Sequence, residues 1–431
     1  MLKAFRKLSF FSFHRKLRPV YFTVALSEFS VGVIRPVLPF LMFSTSSSLL
    51  PENFTHSQRA IYYAIFLTLY KVGSTLSNPI FGIISDLFGR KLVFYISVVS
   101  MLILGFCATL AIFTHNIALF IIGSFFFGLL WAERAVATAA INDVSNSSSR
   151  ITNLSMMQFF VGIGVCLGPI VGGFLGGIVF YKHSYATPYI FLFFVSLLLL
   201  FYVHYAIRET YSPGGAKSIK MKRFPVKRVK KILHDKKIYF LLLICVLCQL
   251  SWGAYYEYIP VVAKTAFKYN LTHIGLLASM IGISIIFTTG FLLPILNKYC
   301  RKFQLIKLSC IIGLIGTTAC FIFSFFPHLL IANIAIWVSI LPIVAGDVMI
   351  FCVLIALFSE VVSKDLQGTI VGVVYVVAST MWVIGAALGG VLMHWRLNGP
   401  LIIGPISMAV LLLLLLIFSR NIEKHLSDRK K

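Results

Sequence analysis

Twelve continuously apolar stretches alternate with short polar joints along the chain, and their length is the first thing that carries structural meaning. They run over Val20–Phe43, Ala60–Ile84, Leu92–Phe113, Ile117–Ile141, Asn153–Phe180, Pro188–Ile207, Ile238–Val262, Thr272–Leu296, Gln304–Phe326, Leu329–Phe358, Thr369–Met393 and Pro400–Ser419. A helix needs roughly 20 residues to cross a ~30 Å hydrocarbon core, so each stretch predicts one membrane-spanning helix. Barrel strands are excluded, because the stretches do not alternate and are about twice a strand's length. The predicted fold is an all-α membrane protein.

Composition agrees with lipid as the main solvent. Hydrophobic residues make up 59% of the chain and charged residues only 12%, with a mean hydropathy of +0.93. No water-soluble surface can be assembled from that mixture. The formal net charge of +25 would suggest nucleic acid until its position is considered. Lys3–Arg18, Arg90 and Lys91, Arg150, the segment Arg208–Lys237, Lys298 to Lys302, Lys364 and the Arg420–Lys431 tail all fall on one side. The other side holds Arg59, Lys182, Lys264, Lys268 and Arg396. This asymmetry predicts both termini in the cytoplasm, with the basic segments against an anionic inner leaflet and no nucleic-acid partner.

The joints divide the chain. Residues 1–19 form a basic amphipathic segment, and 20–207 hold six spans. Residues 208–237 are a basic linker containing Ser212-Pro213-Gly214-Gly215, 238–419 hold six more spans, and 420–431 are a tail. The first span is too long for a signal peptide and lacks a small-residue cleavage site. Of eight cysteines all but Cys300 lie in apolar stretches. Cys245 and Cys248 sit within one span, with no His or carboxylate beside them in sequence, so apolar packing is expected and no metal or cofactor.

The two six-span halves repeat each other. Gly82-Ile-Ile-Ser-Asp86-Leu-Phe-Gly89-Arg90-Lys91 finds Leu293, Asn297, Cys300, Arg301 and Lys302 at an offset of 211. Asp143 and the glycine run Gly164-Val-Cys-Leu-Gly168-Pro169-Ile-Val-Gly172-Gly173 find Glu360, Gly385, Ala386, Gly389 and Gly390 at an offset of 217. Repeated halves with a site between them are a transporter architecture.

On these residues the chain resembles the major facilitator superfamily. Gly82-x-x-x-Asp86-x-x-Gly89-Arg90-Lys91 looks like its loop signature between helices 2 and 3. The run Gly164 to Gly173 looks like the helix 5 motif of its drug:proton antiporter branch, which includes the tetracycline exporters. The resemblance implies two pseudo-symmetric six-helix bundles and alternating access. It further implies that Asp86 meets the start of helix 11 and that Arg90 pairs with Asp143. The branch's helix 4 arginine is absent, with Ser124 in its place relative to Gly128.

Charges at membrane depth cost roughly 2.5–3.5 kcal/mol each and mark function by default. Four acids lie inside spans: Glu28, Glu133, Glu257 and Asp347, on helices 1, 4, 7 and 10, which line the central cavity in the resembling family. Glu28, then Asp347, then Glu257 are the expected proton carriers. Arg35, Lys71, Glu133 and Arg134, with Trp131, Trp252 and Tyr256 beside them, are the expected substrate contacts. The alternative for each charge is a fixed interhelical ion pair. No GxxxxGK[ST] phosphate loop and no clustered catalytic set is present, so neither an ATP-driven pump nor an enzyme is indicated. The expected function is proton-coupled efflux of a small organic molecule, or uptake by the same fold. The setting expected is a monomer in a bacterial inner membrane.

Overall fold

The computed structural model describes residues 16–44, 49–145, 150–178, 185–210, 236–361 and 367–427. The expected amphipathic segment before residue 16 and almost all of the expected linker lie outside them.

Among the described residues, twelve helices follow in order. They are α1 (Arg18–Ile34, resumed as Leu38–Phe43), α2 (His56–Phe88), α3 (Arg90–Phe113), α4 (Ile117–Leu130, resumed as Glu133–Val144), α5 (Arg150–Leu175) and α6 (Thr187–Ala206). The second half holds α7 (Lys236–Thr265), α8 (Leu271–Phe287, continued through Thr288–Leu292 to Leu293–Tyr299), α9 (Lys302–Phe323), α10 (Leu330–Val361), α11 (Gln367–Trp395) and α12 (Ile403–Ser427). Eleven are long and apolar enough to cross a membrane on their own. The remaining one, α2, is 33 residues long and packs between α4 and α11. Large apolar side chains such as Phe106, Leu198, Phe201, Ile315 and Val338 are turned outward, the surface expected where lipid is the solvent.

Three spans expected to be continuous are broken, each for a local reason. In α1, Pro36 lacks an N–H and its ring meets the carbonyl one turn back, so the helix stops at Ile34 and restarts at Leu38. In α8 a π-helical turn over Thr288–Leu292 precedes Pro294 and makes room for its ring. In α4, Trp131 turns to extended backbone, and the freed amide of Ala132 donates to Ser97 Oγ of α3 at 3.2 Å. Broken helices survive at membrane depth only where side chains or cavities satisfy the released backbone groups.

Small residues set the packing between helices. A Cβ at Gly164 would lie 2.5 Å from the Ala25 carbonyl oxygen of α1, and Gly168 and Gly172 press on Phe29, Gly32 and Val33 of the same helix. On its other side α5 meets α8, with Gly173 against Leu271 and Thr272, and Gly275 against the Pro169 carbonyl. Helix α11 repeats the arrangement, with Gly385 against α7 and Gly390 against Ala64 of α2. Contact between small residues substitutes here for the hydrophobic effect, which lipid does not supply.

The halves touch unequally. A continuous apolar cluster fills the first half and, toward the face opposite the basic one, takes in Tyr258, Val261, Leu271, Ala386 and Met393 of the second. Tyr63 Oη donates to the Glu257 carbonyl at 2.7 Å, and Ser57 contacts His394. Toward the basic face, the second half has a cluster of its own that contains no first-half residue. Among the described residues, no atom of another element lies within 4 Å of where a Cβ on Gly82, Gly290 or Gly372 would stand there. Among the described residues the halves are therefore joined at the far face and parted at the basic face.

Candidate functional site

Between the halves lies a cavity lined by Glu28, Arg35, Tyr63, Tyr256, Glu257 and Pro169, among others, with about 590 Å³ of empty space including its mouth. A second, more apolar recess runs from Arg35 and Leu38 into the first half, between Phe66, Phe120, Phe127 and Tyr189. Ser124, the residue standing where an arginine was expected, lines this recess and donates its hydroxyl to the Phe120 carbonyl at 2.8 Å.

The buried charges sort themselves into pairs. Lys71 Nζ lies 2.7 Å from Glu257 Oε1, an ion pair that joins the first half to the second. Arg134 Nε donates to Glu28 Oε1 at 2.5 Å, tying α4 to α1. Glu28 and Glu257, expected as proton carriers with an interhelical ion pair as the alternative, are both ion-paired in this state, because each faces a cation from a helix distant in sequence. Arg35 is in neither pair. Its guanidinium sits 4.3 Å over the ring of Tyr256, and among the described residues no carboxylate comes within ion-pair distance of it. The break before Pro36 leaves Arg35 on the last turn of the first α1 segment, pointing into the cavity.

Aromatic rings cover one wall. Tyr256 packs on Trp252 at 5.3 Å and on Trp382 at 5.5 Å, and Lys71 Nζ stands 4.2 Å over Trp382. Trp131 instead stacks on Phe127 at 5.1 Å. Nothing in the sequence singled out Trp382, since an isolated aromatic in a long apolar run does not reveal which way it faces. The same holds for Gln249, which accepts from Trp382 Nε1 at 3.1 Å and donates to Asp347 Oδ1 at 3.3 Å.

Asp347 is buried and also accepts from the Cys248 thiol at 2.7 Å. That corrects the expectation for Cys248, which has a carboxylate beside it after all, brought from 99 positions away by the packing of α10 on α7. Glu133 is buried at 2% exposure, and neither of its carboxylate oxygens has a hydrogen-bond partner.

At the basic face, Arg90 gathers the loop motif. Its Nη1 donates to Asp86 Oδ1 and to Ser85 Oγ, both at 2.6 Å, and its Nε donates to Asp143 Oδ2 at 2.9 Å. Gly89, at φ +96°, makes the turn that starts α3 beneath it. Glu209 accepts from the backbone amides of Arg90 at 2.9 Å and Lys91 at 3.1 Å, a carboxylate at the positive end of a helix dipole. Its place 119 positions from Arg90 gives no sign of this contact in the sequence. Asp86 bonds to Arg90 of its own half and keeps 65% of its side chain exposed.

These features can be set beside known proteins. The model of the Major Facilitator Superfamily matches residues 20–386. The chain belongs to that superfamily. As a major facilitator it is an integral membrane protein and a secondary transporter of a small molecule, working by alternating access. Among curated relatives, the tetracycline resistance protein, class H, of Pasteurella multocida is 25% identical over 307 residues, 70% of this chain and 71% of that protein. The class C protein of Escherichia coli is 27% identical over 265 residues, 61% and 62% of the two chains. Among solved structures, a bacterial homologue of the iron transporter ferroportin in an inward-facing state superposes with a TM-score of 0.72 at 13% identity, covering 95% of this chain and 99% of that one. A D-xylose–proton symporter gives 0.70 at 15% identity, covering 92% and 96%. These likenesses concern the fold.

Proposed function

We infer that this major facilitator exports a small amphipathic molecule bearing an anionic or zwitterionic group from a bacterial cytoplasm, in exchange for protons. In this reading the basic face is cytoplasmic, so the state described above is open to the inside and ready to load. The observation that carries the substrate class is Arg35. Lys71 and Arg134 have carboxylates in direct contact, whereas Arg35 faces the cavity against the Tyr256 ring, with Glu28 and Glu257 lining the same cavity but engaged by the other two cations. A desolvated cation without a counter-charge is costly, and a substrate anion supplies one. The Trp252–Tyr256–Trp382 wall and the recess between Phe66 and Phe127 would hold the apolar part. Export is supported by the tetracycline resistance relatives and by the glycine run of α5.

The test uses purified protein with tetracycline and a panel of anionic, zwitterionic and cationic amphipaths. Binding should favour anionic or zwitterionic compounds and fall at least tenfold in Arg35→Ala. Proteoliposomes under an imposed pH gradient should move bound compounds opposite to the proton flux. A preference for cations that Arg35→Ala leaves intact would refute the substrate class, and movement with the protons would refute export.

A further inference from the structure

The break in α4 creates a second polar site that the paired charges do not use. Glu133 is the first residue of the resumed helix. The polar side chains beside it are Ser27 of α1 and Trp131, from the break itself. Ser27 Oγ, Trp131 Nε1 and both Glu133 oxygens are all buried; the two donors stand within reach of the carboxyl group, but none of the four atoms makes a well-formed hydrogen bond in the present geometry. Four unsatisfied polar atoms in one place are unusual, since buried polar groups are nearly always partnered.

The charge balance around Glu133 is informative. The cluster where α1 meets α4 contains two carboxyl groups, Glu28 and Glu133, and one guanidinium, Arg134. Arg134 is committed to Glu28 at 2.5 Å and cannot readily turn to its own chain neighbour, because adjacent residues on a helix point away from each other. The other helices packed on this segment of α4 bring little. Helix α3 contributes Ser97, which serves the Ala132 amide, and α5 contributes Met157, against Thr138. Helix α2 contributes Lys71, already held by Glu257. Arg35 lies two turns farther along α1, roughly 10 Å by helical rise, and stacks on Tyr256. With both acids ionised the cluster would bury an uncompensated negative charge, whereas one proton makes it neutral.

We propose that Glu133, and not Glu28, binds the transported proton, held in this conformation as a neutral carboxylic acid between Ser27 and Trp131. The acid form supplies one donor and one acceptor: its O–H can donate to Ser27 Oγ, and its carbonyl can accept from the Trp131 indole N–H. Release requires water or a cation to reach the site, which only a movement of α1 against α4 allows. The Glu28–Arg134 pair spans that same contact and leaves 51% of the Arg134 side chain exposed. The second half offers a parallel. Asp347 stands 214 positions on, between the two repeat offsets, and is likewise buried without a cation among the described residues.

This assignment rests on the reading of the chain as a proton-coupled transporter, but its first test needs no substrate. Infrared difference spectra of the purified protein across a pH titration should show the carbonyl stretch of a protonated carboxylic acid. That band should be lost in Glu133→Gln and retained in Glu28→Gln, with Asp347→Asn identifying any second band. In Ser27→Ala the Glu133 band should shift as its hydrogen bond is removed, which provides the answer should Glu133→Gln not fold. With any Asp347 band assigned, a remaining band that survives Glu133→Gln, or that ignores Ser27→Ala, would overturn the proposal. In proteoliposomes with tetracycline as probe, Glu133→Gln should lose gradient-driven movement while keeping exchange at equal pH. If the wild-type protein moves no probe while the infrared result holds, the export reading fails and the proton site stands.

Discussion

Lys71 of α2 and Glu257 of α7 form the one described ion pair that crosses between the halves, 2.7 Å apart and with each side chain about nine-tenths buried. It sits beside the far-face closure, next to the Tyr63 hydroxyl that bonds the Glu257 carbonyl. Removing one member should strand the other. Lys71→Met alone is expected to cost about 3–5 kcal/mol, and the double variant with Glu257→Gln should recover most of it. Thermal unfolding in detergent measures both, and equal losses in the single and double variants would contradict the pairing.

The loop cluster should separate stability from transport. Asp143→Asn removes a charge-assisted bond to a buried guanidinium and is expected to cost about 1–3 kcal/mol. Asp86→Ala removes a largely exposed partner and should leave the melting temperature almost unchanged. Its effect should fall on flux, because the closed basic face is where Asp86 would find α11. Near-normal flux in a well-folded Asp86→Ala would show that the carboxylate has no part in closure.

The motif glycines of α2 and α5 divide by what they touch. Gly164→Val drives side-chain atoms into the α1 backbone at Ala25 and Phe29 and should destabilise by about 1–3 kcal/mol or more. Gly82→Ala meets open space in the present state, so its melting curve should match the wild type. Any loss of flux in that variant would report on the state with the basic face shut. Equal melting temperatures for the two variants would contradict the α1–α5 packing.

A pH effect is expected at the far face. His56 lies at the tip of α2, outside the span, and burial, with Lys268, Arg59 and Lys264 close by, holds it below its ordinary value. Protonating it therefore opposes this closed arrangement. The contribution is fully present above the ordinary histidine value of about 6.5 and is lost as pH falls through the depressed one. Spin labels replacing Ser57 and His394 should move apart on acidification, and His56→Gln should flatten the response. An identical response in that variant would exclude His56.

The helical content and the loop motif were legible because continuous apolar runs and a dense local signature are properties of contiguous residues. The pairings were not. Which acid meets Lys71 depends on a helix 186 positions away, and no spacing rule reaches that far. Arg59 shows a similar limit. Its place near a polar joint suggested an outer loop charge, yet it is 2% exposed and donates to the carbonyls of Met42, Ser44, Pro51 and Phe54, bracing the turn between α1 and α2. The helix breaks were half visible, since Pro36 and Pro294 announce two of them. The third, at Trp131, depends on a hydroxyl from α3.

The apolar cluster shared by the halves at one face, set against the Arg90-centred charges at the other, gives the two gates different thermodynamics. Opening the greasy gate exposes hydrocarbon to water, so it should carry a positive heat-capacity change and respond to temperature. Closing the charged one brings together groups that ions screen, with a Debye length of about 8 Å at physiological salt. Raising ionic strength should therefore weaken one gate while leaving the other nearly untouched, and the cell's salt balance would bias which side of the membrane this transporter faces at rest.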